Sequence, residues 1–178
     1  SGPGAAHEGV ACLATILAGN YTDGPTSRAV GPAFTVPAAE ENPRLRFWHW
    51  YEFGSYDLAK VQISEDDGLT WADLSPPYDG SSSGAWTRPS LDLSAYAGRP
   101  VRLGFYFETR ACCVGPGWYI DEVTVVTGPL PAMPGTEGFE DAGAPDRWTA
   151  DFGVWEVGVP TSGPGAAHEG VACLATIL

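Results

Sequence analysis

The first seventeen residues, Ser1-Gly-Pro-Gly-Ala-Ala-His-Glu-Gly-Val-Ala-Cys-Leu-Ala-Thr-Ile-Leu17, return letter for letter as Ser162 to Leu178, 161 residues later. Diverged repeats rarely keep identity over such a run. The simplest reading is a polymer of near-identical 161-residue units, of which this chain holds one period and an overlap. An accidental duplication is the bland alternative. In an array of this kind, function comes from repetition more than from a single pocket.

One period is long enough for a single domain with a real core. The 44% hydrophobic content supplies the apolar surface for it. With 23 Gly and 16 Pro, long helices are disfavoured, while the Trp, Tyr, Phe, Val and Thr content favours strands. The fold class is therefore all-β. A net charge of −13 repels phosphate backbones and anionic membranes, so neither nucleic acid nor membrane insertion is expected. No transmembrane run or signal peptide is visible, as expected of a piece cut from inside a longer precursor.

Cys12 and Cys173 are one position seen twice, so each period carries Cys12, Cys112 and Cys113. Their spacing is not a zinc pattern. An extracellular disulfide joining Cys12 to Cys112 or Cys113 is expected. The third thiol is then free, bonded to a neighbouring chain, or part of a vicinal bridge. Asn20-Tyr-Thr22 is a glycosylation sequon on a loop.

Along the chain, Val10 to Leu17 reads as a buried strand and Pro32 to Val36 as a short one. In Leu45-Arg-Phe-Trp-His-Trp-Tyr51, Leu45, Phe47, His49 and Tyr51 share one face, and Arg46, Trp48 and Trp50 the other. Aromatics on both faces predict a central strand, with His49 as a core residue. Lys60 to Ser64 and Thr70 to Leu74 flank Asp67-Gly68, a strong hairpin signal. Ser64-Glu-Asp-Asp-Gly-Leu-Thr-Trp71 also matches the Asp-box pattern S-x-D-x-G-x-x-W known from sialidases. Its role is structural: Asp66 caps turn amides and Trp71 plugs the hairpin base. Residues 75–90 form a loop around Trp86, and Leu91 to Gly98 a turn. Strands follow at Pro100 to Phe107 and Gly117 to Val126. Gly128 to Gly135, with Pro129, Pro131 and Pro134, is a stiff linker. Phe139, Trp148 and Phe152 to Val157 open something new.

Phe139-Glu140, Trp148, Trp155-Glu156 and Gly163-Pro164 resemble the opening of MAM-like β-sandwich domains. The likeness extends through Leu45, Phe47, Trp50, Glu52 and Asp57, then Val61 to Ser64 with Gly68 and Trp71. It continues through Leu93 to Gly98 and ends at Gly117-Trp-Tyr-Ile-Asp121. Such jelly-roll modules stand beside immune-inhibitor-A-type metalloproteases and in large bacterial or archaeal surface proteins. The cysteine at positions 12 and 173 departs from the pattern. The resemblance implies a non-catalytic, two-sheet antiparallel jelly roll, one per repeat. It also fixes the phase: residues 1–127 are a body lacking its first strands, 128–136 the linker, and 137–178 the first strands of the next repeat. Pro129, Pro131, Pro134, Phe139 and Trp155 mark the junction. The missing piece leaves an open sheet edge for another copy to fill, along one continuous chain or by donated strands.

Jelly rolls often hold a structural Ca²⁺ between opening and closing strands, and Glu140 and Asp121, with Glu52 or Asp57, have the hard oxygen ligands for it. His7-Glu8 starts like a zincin motif, but no second histidine follows. Trp48, Trp50, Tyr78 and Trp86 are expected to be exposed aromatics that offer stacking faces for sugar rings. The expected function is a non-catalytic extracellular or cell-surface repeat, assembling head to tail into a filament, stalk or fibre. The alternative is a carbohydrate- or cell-surface-binding adhesin module, and a third reading an accessory domain of a secreted protease.

Overall fold

The computed structural model describes every residue except 1, 25, 111, 134, 151–154 and 177–178, and residue 146 through its backbone only. It is an antiparallel β-sandwich of jelly-roll type. In chain order the strands are β1 (Leu13–Ala14), β2 (Ser27–Val30), β3 (Phe34–Thr35), β4 (Arg44–Glu52), β5 (Leu58–Ser64), β6 (Ala72–Asp73) and β7 (Ser90–Asp92). They continue with β8 (Pro100–Glu108), β9 (Gly117–Val126), β10 (Glu156–Gly158) and β11 (Cys173–Ala175). One sheet runs β1-β9-β4-β7, and the other β2-β8-β5-β6, with β3 also on β8. Among the described residues, β10 and β11 pair only with each other. From β3 to β9 the chain changes sheet at most connections, which is how a jelly roll closes two sheets over one core.

The alternation in β4 holds as predicted. Leu45, Phe47, His49 and Tyr51 are all buried between the sheets, against Val61, Ile63, Phe105, Phe107, Trp118 and Ile120. Among the described residues, none beyond Val125 joins this core. His49 is a core histidine. Its Nδ1 accepts a hydrogen bond from Trp118 Nε1 at 3.3 Å. Burial pushes its pKa down to about 3, because no charged partner offsets the lost hydration of the imidazolium.

The Asp-box segment is structural, as its residues suggested. Asp66 Oδ1 accepts the Thr70 amide at 2.8 Å and Oδ2 the Thr70 hydroxyl at 2.6 Å. These bonds, with the one from Ser64, hold the carboxyl down at about 2. Trp71 Nε1 donates to the Gly68 carbonyl at 3.0 Å, and the Arg28 guanidinium lies 4.5 Å from its ring. The registers Gln62↔Asp73 and Ile63↔Ala72 follow from that turn.

The structure revises four readings. Val10 to Leu17 is not a buried strand. Only Leu13 and Ala14 pair, with Ile120 and Tyr119, while Leu13 is 45% exposed and Leu17 75%. Among the described residues β1 has a strand partner on one edge only, and a two-residue ladder buries little. Ser90–Asp92, read as turn, is an edge strand on β4, and β2 had no sequence signal. Trp50 and Tyr78 are buried rather than exposed: Trp50 packs edge-on against Tyr119 on the outer sheet face, and Tyr78 lies in the core. Of the strand expected over Phe152 to Val157, residues 152–154 lie outside the described residues, Trp155 is not in a strand, and the described strand is Glu156–Gly158.

Candidate functional site

The outer face of the β4-β9 sheet carries the most concentrated chemistry. Register places Trp48 opposite Asp121. Asp121 Oδ2 accepts the amides of His7 at 3.0 Å and Glu8 at 3.2 Å, folding the N-terminal loop back over the sheet. That turn lays the His7 ring on Trp48, with centroids 3.9 Å apart and planes 15° from parallel, and brings its Nδ1 against Glu122. Trp86 meets His7 edge-on at 5.8 Å. The Arg88 guanidinium lies 5.0 Å from the Trp48 ring.

The tail closes the far side of this surface. Its first turn is built around Arg147, which bonds Glu137 (Nε, 2.9 Å) and Asp141 (Nη1, 3.0 Å; Nη2, 2.7 Å). This bidentate pairing orders a short helix, Ala144–Arg147, that sequence reading missed; an arginine between two acids in a Gly- and Pro-rich stretch was the available signal. Phe139 packs on Trp148 at 5.6 Å. Between Trp48, Trp86 and Arg88 on the body and Trp148, Trp155 and Leu174 on the tail lies an open cleft of about 620 Å³. Trp148 is 37% exposed and Trp155 51%, so indole faces border open space. A second cavity of about 210 Å³ reaches the sandwich core between β1 and β2, lined by Leu13, Ala29, Phe105, Phe107, Trp118 and Ile120. The cavity lies beside the edge of β1 that has no strand partner among the described residues, and the core side chains at its floor, Phe105, Phe107, Trp118 and Ile120, are themselves buried.

The tail also shows the repeated stretch a second time. Cys173, Leu174 and Ala175 pair with Gly158, Val157 and Glu156. Glu140 Oε1 accepts the amides of Val171 and Ala172, both at 2.9 Å.

The four carboxylates expected to hold Ca²⁺ are not gathered. Asp57 is buried and accepts the Tyr21 hydroxyl and the Arg110 amide (2.6 Å). Burial, then that hydrogen bond, drives the Tyr21 pKa up to about 12. Asp121 and Glu140 bind the amides just described, and Glu52 is exposed at the end of β4. Among the described residues, no three His, Cys, Asp or Glu side chains sit close enough to hold a metal, so the donor set does not fit the ion. His7 serves as a stacking residue, with no zinc partner set around it.

Cys12 is not joined to either later cysteine. Cys112 and Cys113 are bonded to each other, and Cys12 and Cys173 are free thiols. The register explains this: Leu13 lies opposite Ile120, whereas Cys113 precedes the start of β9. Burial, then the nearby Asp121 charge, raises the Cys12 pKa. Asn20 is exposed in the loop before buried Tyr21. The linker starts pinned to the body, with the Gly128 amide donating to the Glu41 carbonyl (2.8 Å) and Asn42 Nδ2 to the Gly128 carbonyl (3.2 Å). Pro129 and Pro131 lie in coil beyond it, and Pro134 lies outside the described residues. No helix among the described residues is long and apolar enough to cross a membrane.

No family model matches the chain. Over 126 residues, 70% of its length, it is 29% identical to Bacillopeptidase F of Bacillus subtilis (strain 168). Over 99 residues, 50% of its length, it is 33% identical to the pre-pro-metalloprotease PrtV of Vibrio cholerae serotype O1. The chain spans 9% and 11% of those two proteins. Among solved structures it is similar to TmCBM61 in complex with β-1,4-galactotriose, with a TM-score of 0.45 and 16% identity over 68% of this chain and 73% of that one. Bacillopeptidase F and PrtV therefore correspond to this chain through a short stretch of each.

Proposed function

We propose that the chain is one period of a non-catalytic, extracellular array of jelly-roll units joined head to tail. In this reading residues 1–127 form a body that lacks its opening strands, 128–136 the linker, and 137–178 the opening of the next body. One observation carries it: a cavity lies beside the edge of β1 that has no strand partner among the described residues, while the tail holds an identical stretch paired with a strand. The similarity to short stretches of two much longer proteins supports a module that works within larger chains. Electron microscopy of the native material tests the array. Beads at one constant spacing along a line are expected, and isolated particles would refute it.

A second reading is favoured by the aromatic cleft. Trp48, Trp86, Trp148 and Trp155 around open space, with Arg88 and Glu156 as polar groups, suit stacking on a sugar ring. A glycan array probed with the chain, and with a Trp48→Ala, Trp155→Ala variant as control, decides it. Binding lost in the variant supports a glycan site.

A further inference from the structure

The repeated sequence is gripped in two ways in this molecule, and the grips use different groups. In the body, Asp121 takes the amides of His7 and Glu8, and β9 pairs with Leu13 and Ala14. In the tail, Glu140 takes the amides of Val171 and Ala172, whose twins in the body are Val10 and Ala11, and β10 pairs with Cys173 to Ala175. No amide is claimed by both carboxylates. Burial tells the same story: Ala11 and Leu13 are exposed in the body, while their twins Ala172 and Leu174 are half-buried in the tail. Each copy thus has one strand partner among the described residues, β9 in the body and β10 in the tail, and neither copy has both.

We infer that residues 7–14 are the seam at which each body of the array is completed, held at once by Asp121 and β9 on one side and, on the other, by the Glu140 and β10 equivalents of the opening segment that the preceding copy of the chain supplies. The partner surface is thus a second copy of this chain's own tail, docked by strand addition along the outer edge of β1. The sheet then reads β10-β1-β9-β4-β7, with the added strand beside the cavity at the edge of β1. This extends the head-to-tail reading and rests on it.

Cys12 is a built-in reporter, because its twin Cys173 stands opposite Gly158. The test mixes the full chain carrying Cys173→Ser with a peptide of residues 137–161 carrying Gly158→Cys, under mild oxidation. The expected product is one peptide disulfide-bonded to Cys12, identified by peptide mass, with slowed hydrogen exchange at Val10 and Ala11. A Glu140→Ala peptide should cross-link about tenfold more slowly, since a carboxylate accepting two amides is lost. No cross-link, a cross-link elsewhere, or equal rates for the two peptides would overturn the seam. Beads at constant spacing in the native material would then still uphold the array, whereas their absence would sink the array whatever the peptide does.

Discussion

Leu13 and Leu174 occupy the same place in the same seventeen-residue sequence, yet one lies against β9 of a packed sandwich and the other against β10 of the tail. Nothing local distinguishes them. The short strands, Leu13–Ala14 in one copy and Cys173–Ala175 in the other, are set by the neighbour each copy meets. β-structure of this kind is a property of the pair rather than of the segment. The body and the tail differ in the same way. The body is held by a two-sided aromatic core; the tail, by Arg147 between two acids and by a three-residue ladder.

The sharpest way to separate the two is to damage only the core. Trp118→Ala removes a fully buried indole and its bond to His49, and should cost about 3–5 kcal/mol. The body's thermal transition should fall by roughly 10 °C, while amide protection at Cys173 to Ala175 stays unchanged. If tail protection falls with the body, the two are one cooperative unit. Asp57→Ala comes next. It strands the Tyr21 hydroxyl and the Arg110 amide at the end of the sandwich and should cost about 2–3 kcal/mol in denaturant titration. A chelator should leave the midpoint of the unsubstituted chain where it was.

Acid distinguishes core from turn. Folded His49 stays neutral down to about pH 3, whereas in the unfolded chain it takes a proton near 6.5. Its pKa is lowered by folding, so unfolding binds a proton through that window. Stability is therefore full above 6.5 and falls as pH drops towards 3, on the order of 1 kcal/mol per pH unit. His49→Gln should flatten that slope in urea melts taken between pH 6 and 4. Asp66 acts later and more weakly. Its carboxyl is held at about 2, against 3.8 for the free group, so its contribution is present above 3.8 and is lost as pH falls through 2. Asp66→Ala should lower the midpoint slightly at pH 7 and not at all at pH 1.5. The smallest effect is expected from Asp121→Ala, about 0.5–1.5 kcal/mol or less; it should speed proteolysis near His7 without touching the tail.

The sequence made the long strands legible because period-two alternation is a direct print of a two-faced sheet. Leu45 to Tyr51 and Gly117 to Val126 are found where the pattern put them. The Asp-box turn was legible for another reason: its bonds run between residues at most four apart. The edge strands were hidden, since Ser27–Val30 and Ser90–Asp92 are strands only by virtue of β8 and β4. The cleft was half visible. Trp48 and Trp86 were picked for it, but so were Trp50 and Tyr78, which composition alone cannot sort from core residues. Three of the four carboxylates expected around a metal, Asp57, Asp121 and Glu140, accept backbone amides instead, a use that depends on where distant loops return.

The brevity of β1 has a consequence for a chain under tension. A pull applied to the start of β1 and to the end of β9 acts at the same end of an antiparallel pair, because Leu13 faces Ile120 and the linker leaves beyond Val126. Such a load peels the ladder one bond at a time instead of shearing all of it together. Two residues give little resistance to peeling, so an array built from this unit draws its tensile strength from whatever lies on the other edge of that strand.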